Sequence, residues 1–455
     1  MSSPLEKPFD LLLTGGIVVN GQGLRRLDVG VMDGKIHTLA EELSSMPARS
    51  RFDVSGRWLF PGVIDVHVHP VYSDNMEQCS RVAAFGGTTT LIHFAYARPG
   101  EGLVEALEKY LAEGQATSRL DFGLHCGLFE AEKQVPQIPE AMKLGVNSFK
   151  FFMTYIKQRW YTDDYQLMKA MDILASRGGL AMVHAENGGG IDYLEDKYLI
   201  GPLASELHFN ASRPAALEEE AIFRAICLAE VTGCPLYIPH VTSRRALRPI
   251  RAARQAGQVI YAESCPHYLS LTEDILKQRG ALAKVGPPIR SQDDQDALWQ
   301  GLQDGTLQTV ASDHAAKVKN PNVDFISQGF GSPQIETLLP ITHDVGVNQG
   351  LISLVRLVQL LCENPARIFG LYPRKGVLAA GSDADIVVFN PAQSFTIRAG
   401  NQHSNVGYTL YEGRTVLGWP EMSFQRGNPV LVDGKVLSRP GDGAFLPTQP
   451  PGVFV

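Results

Sequence analysis

The chain has 455 residues and a mass of 49.7 kDa, with 44% hydrophobic and 20% charged residues. This is the composition of an ordinary globular protein, and it excludes a disordered, collagen-like or fibrous architecture as the main one. With 41 basic and 48 acidic residues the net charge is −7, which supplies no basic face for nucleic acid or an anionic membrane.

Residues 1–16 carry Glu6 and Asp10 ahead of a short Leu11-Leu12-Leu13 run. They lack the basic flank and apolar length of a signal peptide, and no later stretch reaches the ~18 apolar residues of a membrane span. A soluble, cytoplasmic protein is expected. From residue 8 to 59 the pattern is alternating and turn-punctuated, over 10–13, 17–20, 29–32 and 35–39, with Gly15-Gly16 and Asp33-Gly34 between runs. An Asp-Gly between two β-rich runs predicts a hairpin. The same texture returns after about residue 376, in 384–389, 408–413 and 430–434. Both chain ends are therefore expected to form one small β-sandwich, with residues 1–59 as its first part and 376–455 as its second part and tail.

Between them, in 60–375, eight β-rich runs alternate with helical periodicity: 63–67, 89–93, 122–126, 148–152, 180–184, 236–240, 259–263 and 309–313. Helices are predicted over 102–113, 163–176, 217–231 and 244–255 from apolar residues at three-to-four spacing. Alternation of this kind argues for a parallel sheet, and eight strands in this length give an α/β fold of the (β/α)8 barrel type. Such barrels carry their active sites at the C-terminal ends of the strands. Phe85-Gly86-Gly87-Thr88 reads as a tight turn into the second strand, and Gly188-Gly189-Gly190 as a flexible loop after the fifth. Six cysteines without a CxxC pair read as buried thiols.

The polar residues at those strand ends form a set. His67 and His69 follow the first strand, Lys150 lies in the fourth, His184 closes the fifth, His240 the sixth, and Asp313 the eighth. Alternation turns His67 and His69 the same way. Imidazole and carboxylate are ligands that divalent zinc accepts. Each fragment alone reads more simply as packing or a hydrogen-bonded polar residue; their agreement with an independently read strand order makes the joint reading. His37, His125, His208, His343 and His403 lie off the pattern. A lysine inside a ring of cations is disfavoured as an ammonium, and as a neutral amine it can take up carbon dioxide to become a carbamate that bridges two metals.

Pro61-Gly62-Val63-Ile64-Asp65-Val66-His67-Val68-His69, the strand lysine Lys150, Val183-His184-Ala185-Glu186-Asn187, His240-Val241-Thr242-Ser243, Ser312-Asp313-His314 and Gly381-Ser382-Asp383-Ala384-Asp385-Ile386-Val387-Val388 together resemble the cyclic amidohydrolases of the amidohydrolase superfamily, in the hydantoinase, dihydropyrimidinase and allantoinase group. The resemblance spans about residues 8–436. It implies a metallo-dependent hydrolase barrel with a β-sandwich, two divalent metal ions read as zinc, and hydrolytic opening of a cyclic amide or imide by a metal-bridging hydroxide. Position by position it implies that His67, His69 and Asp313 hold one ion and His184 and His240 the other, with Lys150 bridging them as N6-carboxylysine. Asp313 would move the proton, and Tyr155 would donate to the developing oxyanion; by residue chemistry alone Tyr155 is equally an amphipathic rim residue. A homotetramer or homodimer is implied, with a small cyclic amide as the partner molecule.

The chain departs from close relations at three places. Dihydroorotases carry an arginine two residues after the HxH pair, where this chain has Val71. Hydantoinases typically show a serine before Pro-Pro and an Asn-Gly stretch; here these are Gly286-Pro287-Pro288 and Gly329-Phe330-Gly331, leaving backbone groups of Gly286 and Gly331 to meet the ring. Phe152, Trp160 and Tyr161 offer an apolar wall for a ring substituent. Allantoinase is the neighbouring alternative. A non-catalytic assembly protein on the same barrel is the alternative from another class, and six intact ligand positions argue against it.

Overall fold

A computed structural model describes residues 7–201, 204–320 and 323–452. Eight parallel strands stand in sequence order: Val63–Val68, Thr88–Ala97, Asp121–Leu128, Ser148–Phe152, Leu180–His184, Leu236–Ile238, Ile260–Ser264 and Thr309–Val310. The ring closes where Val68 bridges His314; His69 N–H donates to His314 O at 2.9 Å and His314 N–H to His67 O at 3.2 Å. The strands are buried on both faces, as parallel strands wrapped by helices must be.

All eight predicted strands are present. The sixth and eighth end earlier than the sequence pattern suggests, at Ile238 and Val310. The reason is local: His240 (φ 43°) and Asp313 (φ 50°) adopt left-handed backbone, which breaks the ladder and turns both residues out of it.

The helices lie over Leu103–Thr117, Asp164–Ala175, Ala215–Thr232 and Arg244–Gln255. Asp163 caps the second by accepting from Gln166 N–H, and Ser243 the fourth by accepting from Ala246 N–H. Leu167, Ala170, Met171 and Leu174, at three-to-four spacing, turn one face of the second into the core. The triple glycine is not a flexible loop. It opens helix Gly188–Tyr198, whose N-cap Asn187 accepts from Gly190 N–H, because a Cβ at Gly188 would stand 3.0 Å from Met153 O while the helix start needs that approach.

The chain ends do build one two-sheet unit. One sheet runs Lys35–Ala40, Asp28–Met32, Phe9–Thr14, Ala48–Asp53; the other runs Lys435–Val436, Asn428–Val432, Thr415–Gln425, Ile386–Thr396, Trp58–Pro61, Ile17–Asn20, Gly23–Arg26. Leu11, Val29, Ile36, Leu59, Ile386 and Phe424 share its core. The Asp33-Gly34 hairpin forms, with φ of 51° and 74° as a type I′ turn requires.

Residues 408–413 do not form the strand their alternation suggests. Tyr408, Leu410 and Tyr411 are buried in a turn-rich connection, where the Tyr408 hydroxyl donates to Lys317 O at 3.1 Å. The tail does more than complete the sandwich: Leu446 N–H donates to Phe122 O at 2.7 Å, and Leu446 joins Ile64, Ile92 and Phe94 inside the barrel. It closes the end opposite the strand-end histidines. Sandwich and barrel are clamped by buried Lys375, whose Nζ lies 2.6 Å from Asp121 and Asp385 and 3.1 Å from Asp383. All six cysteines are free, five of them buried. Among the described residues no helix is long and apolar enough to cross a membrane.

Candidate active site

A cavity of about 490 Å³ opens at the C-terminal ends of the strands. His67, His69, Lys150, His184, His240, Asp313, Tyr155, Phe152, Trp160, Gly286 and Gly331 all line it; Tyr161 does not.

The first strand delivers His67 and His69 to Asp313. His69 Nε2 lies 2.9 Å and His67 Nε2 3.2 Å from Asp313 Oδ1. Against the pull of burial, the charges of His67 and His69 hold the Asp313 carboxyl well below the usual carboxylate range. Burial pushes His69 down to about 4. On the other side of the ring, Lys150 Nζ is 3.4 Å from His240 Nε2, and the His184 and His240 rings are 4.6 Å apart in an edge contact. Lys150 is fully buried, and that burial brings its ammonium down to about 8, opposed by Asp313 and Glu263. Burial, aided by Lys150, also holds His240 well below the ordinary histidine range.

A second layer of side chains orients these residues. Glu263, fully buried, faces His67 Nδ1 at 2.6 Å, accepts from Tyr237 O–H at 2.7 Å and accepts from His240 N–H at 3.2 Å. Glu186 faces His184 Nε2 at 2.7 Å and accepts from Arg213 at 2.9 Å; despite burial, Arg213 pulls its carboxyl down to about 2. Tyr96 O–H stands 2.8 Å from His69 Nδ1. Carboxylates behind imidazoles fix the tautomer and raise the basicity of the other nitrogen. The sequence reading assigned no role to Glu263 or to Glu186, although each was visible as a charged residue at or just past a strand end.

The donors fit a divalent cation site. Ligand atoms of His67, His69 and Asp313 lie within 4.8 Å of one another. With Nδ1 engaged by Glu263, His67 turns a buried Nε2 without a hydrogen-bond partner towards Asp313, and His240 Nδ1 is likewise buried and unpartnered. Unpaired buried nitrogens are costly, and a metal ion relieves that cost.

Around this floor stands an aromatic wall. Trp160 stacks on Phe129 at 4.3 Å and meets Tyr155 edge-on at 5.7 Å; Phe152 lies 5.5 Å from Phe129. Tyr155 (φ 64°) leans 5.2 Å from the His184 ring. Burial pushes its phenol well up, so it keeps its proton as a donor. Gly286 admits Phe330 and the Tyr155 hydroxyl, which a Cβ would meet at 3.1 and 3.4 Å. Gly331 N–H donates to Lys284 O at 3.1 Å, so only its carbonyl, which also accepts from Tyr408 at 3.3 Å, is left for a ligand.

Residues 58–416 match the amidohydrolase family. The chain is 37% identical to a D-hydantoinase of Ralstonia pickettii, over 96% of this chain and 98% of that one. It is 33% identical to a D-phenylhydantoinase of Escherichia coli, over 97% and 98%. Among solved structures it matches a dihydropyrimidinase from Brevibacillus agri with a TM-score of 0.93 and 32% identity, over 97% of this chain and 99% of that one.

Proposed function

Given that this chain belongs to the amidohydrolase family, in its hydantoinase and dihydropyrimidinase group, we propose that it is a metal-dependent hydrolase that opens the ring of a cyclic amide or imide. The observation that carries this reading is the convergence of four histidines, Lys150 and Asp313 on one cavity, with His67 Nε2 and His240 Nδ1 buried and without hydrogen-bond partners.

His67, His69 and Asp313 would hold one ion, His184 and His240 a second, and Lys150 would lie between them. Bound there, such ions polarise an amide carbonyl and lower the pKa of water. Lys150 suits the bridging role because its buried amine adds to carbon dioxide, forming an N–C bond and releasing a proton to give a carbamate. The Asp313 carboxylate would be the proton carrier. Held ionised, it takes a proton from the attacking water and passes it to the ring nitrogen as the C–N bond breaks. Tyr155, keeping its phenolic proton in a buried site, donates to the oxygen that gains charge. Phe152, Trp160 and Phe129 exclude water and would wall an apolar ring substituent. Zinc as the metal, the cytoplasm as the compartment and a homotetramer or homodimer as the assembly complete the reading.

The test is a panel of hydantoin, 5-substituted hydantoins, dihydrouracil and allantoin with metal-replete enzyme. Turnover of the hydantoins or dihydrouracil is expected. A clear preference for allantoin would move the assignment to allantoinase, and no turnover with metal bound would refute it.

A further inference from the structure

The geometry points to an anion-reading rim on this cavity, in which Arg98 and Lys317 select ring substrates whose exocyclic arm ends in a carboxylate. The inference rests on the cyclic-amidase reading and names its substrate class.

The cavity has two unlike sides. The aromatic wall follows the third and fourth barrel strands. Tyr72, Arg98 and Lys317 follow the first, second and eighth, which are neighbours around the closed ring, and all three line the cavity. Lys317 Nζ lies 3.9 Å over the Tyr72 ring, and that ring lies 6.5 Å from the ring of His69. One tyrosine thus separates the ammonium from the ligand histidines. The lysine stem runs along Gly329, where a Cβ would meet its Cδ at 3.2 Å and its Cε at 3.3 Å.

What distinguishes these two cations is that the others nearby are already satisfied. Arg213 is paired with Glu186 and Glu195, each at 2.9 Å. Lys284 Nζ donates to the carbonyls of Phe325, Ile326 and Gln328, and Lys319 Nζ to those of Leu282 and Lys284. The acids near Arg98 are committed as well. Glu101 accepts from Lys109 at 2.7 Å and from the Arg98 backbone N–H at 3.2 Å; Glu130 accepts from Lys133 at 3.0 Å and from Gly100 N–H at 2.6 Å. Among the described residues neither the Arg98 guanidinium nor the Lys317 ammonium has a carboxylate partner, and the one acid lining the cavity, Asp313, belongs to the ligand cluster. Lys317 is half-buried, and burial lowers its pKa from the usual lysine value. An anion brought in on the substrate supplies the missing counter-charge to both, whereas a neutral polar arm leaves them as they are.

The comparison that tests this uses metal-replete enzyme with 5-(2-carboxyethyl)hydantoin and 5-(2-carbamoylethyl)hydantoin, which differ in charge but hardly in shape. At low salt kcat/KM should favour the carboxylate by about tenfold or more, as charge-assisted hydrogen bonds would give, and the ratio should shrink as ionic strength rises. Arg98→Gln and Lys317→Met should each lower that ratio by roughly threefold to tenfold, mainly through KM for the carboxylate substrate. A wild-type ratio at or below one, or a ratio that neither variant changes, overturns the proposal. The wild-type measurement decides even where a variant fails to fold. Turnover of the carbamoyl compound alone overturns the rim and leaves the cyclic-amidase reading intact; turnover of neither overturns both.

Discussion

Glu263→Gln isolates what the carboxylate behind His67 contributes. Glu263 is fully buried and serves three groups at once: the His67 ring at 2.6 Å, Tyr237 O–H at 2.7 Å and His240 N–H at 3.2 Å. The amide keeps the shape. Its oxygen can still accept from His67 and His240, and its NH₂ can donate to Tyr237, whose own hydroxyl then turns to Thr309 Oγ1 at 2.7 Å. No donor is orphaned, so the fold should survive and the difference measured is the lost charge. Removing such a partner costs about 10–100-fold in metal affinity, or about 1.4–2.7 kcal/mol. Because Glu263 also fixes the backbone of His240, both proposed ion positions should weaken. Competition for zinc with a chromogenic chelator, followed by activity at saturating metal, reads the effect. Glu263→Ala, which strands all three partners, should weaken binding further and lower the thermal midpoint. If Glu263→Gln binds metal within twofold of the parent, the ligand histidines do not depend on this carboxylate and the argument from buried hydrogen bonds is wrong.

Lys150→Ala should empty at least one metal position, with partial recovery of metal and activity on adding a short-chain carboxylic acid; an unchanged metal content rules out the bridging role. Asp313→Asn should lower kcat by about 10²–10⁴, the scale of general acid–base catalysis, and a loss under tenfold would mean that another group moves the proton. Trp160→Ala should raise KM for an aromatic 5-substituted hydantoin by about tenfold, the scale of losing roughly 55 Å² of apolar cover at ~25 cal/mol per Å², and much less for dihydrouracil; equal effects would reduce Trp160 to a loop support. Lys375→Met should destabilise by about 3–5 kcal/mol in chemical denaturation, because it strands buried carboxylates. Although burial opposes it, Lys375, with Lys35 and Arg374, holds Asp383 near 2 from an ordinary 3.8, so its share of stability is present above pH ~4 and lost as the pH falls towards 2. A variant as stable as the parent across that range would refute the clamp.

The barrel was legible because parallel strands buried on both faces leave short apolar runs that end abruptly in a polar residue, as at His184 and Asp313. The candidate ligand set stood out for the same reason, since metal chemistry demands residue types that an apolar strand otherwise excludes. Partnership across the fold was not. Glu263 closes a predicted strand, yet nothing in its neighbourhood says that it faces His67, 196 positions away. That Arg98 and Lys317 have no carboxylate partner among the described residues is equally invisible, because it depends on where Lys109, Lys133 and Arg213 find their partners. Residues 408–413 misled because alternation marks any segment with one buried side; here the Tyr408 hydroxyl meets the carbonyls of Lys317 and Gly331, and no ladder forms. The tail escaped notice since Leu446 reaches the barrel floor from the far end of the sequence.

Tyr155, His240 and Asp313 all sit on backbone with positive φ, a conformation in which glycine would be at ease and a side chain is strained. The chain thus carries at three points of its active cavity a residue that folding alone would discard. Selection for a sturdier protein and selection for a working one diverge most sharply there, and a search guided only by thermal tolerance would remove the side chains proposed for the chemistry while improving the scaffold.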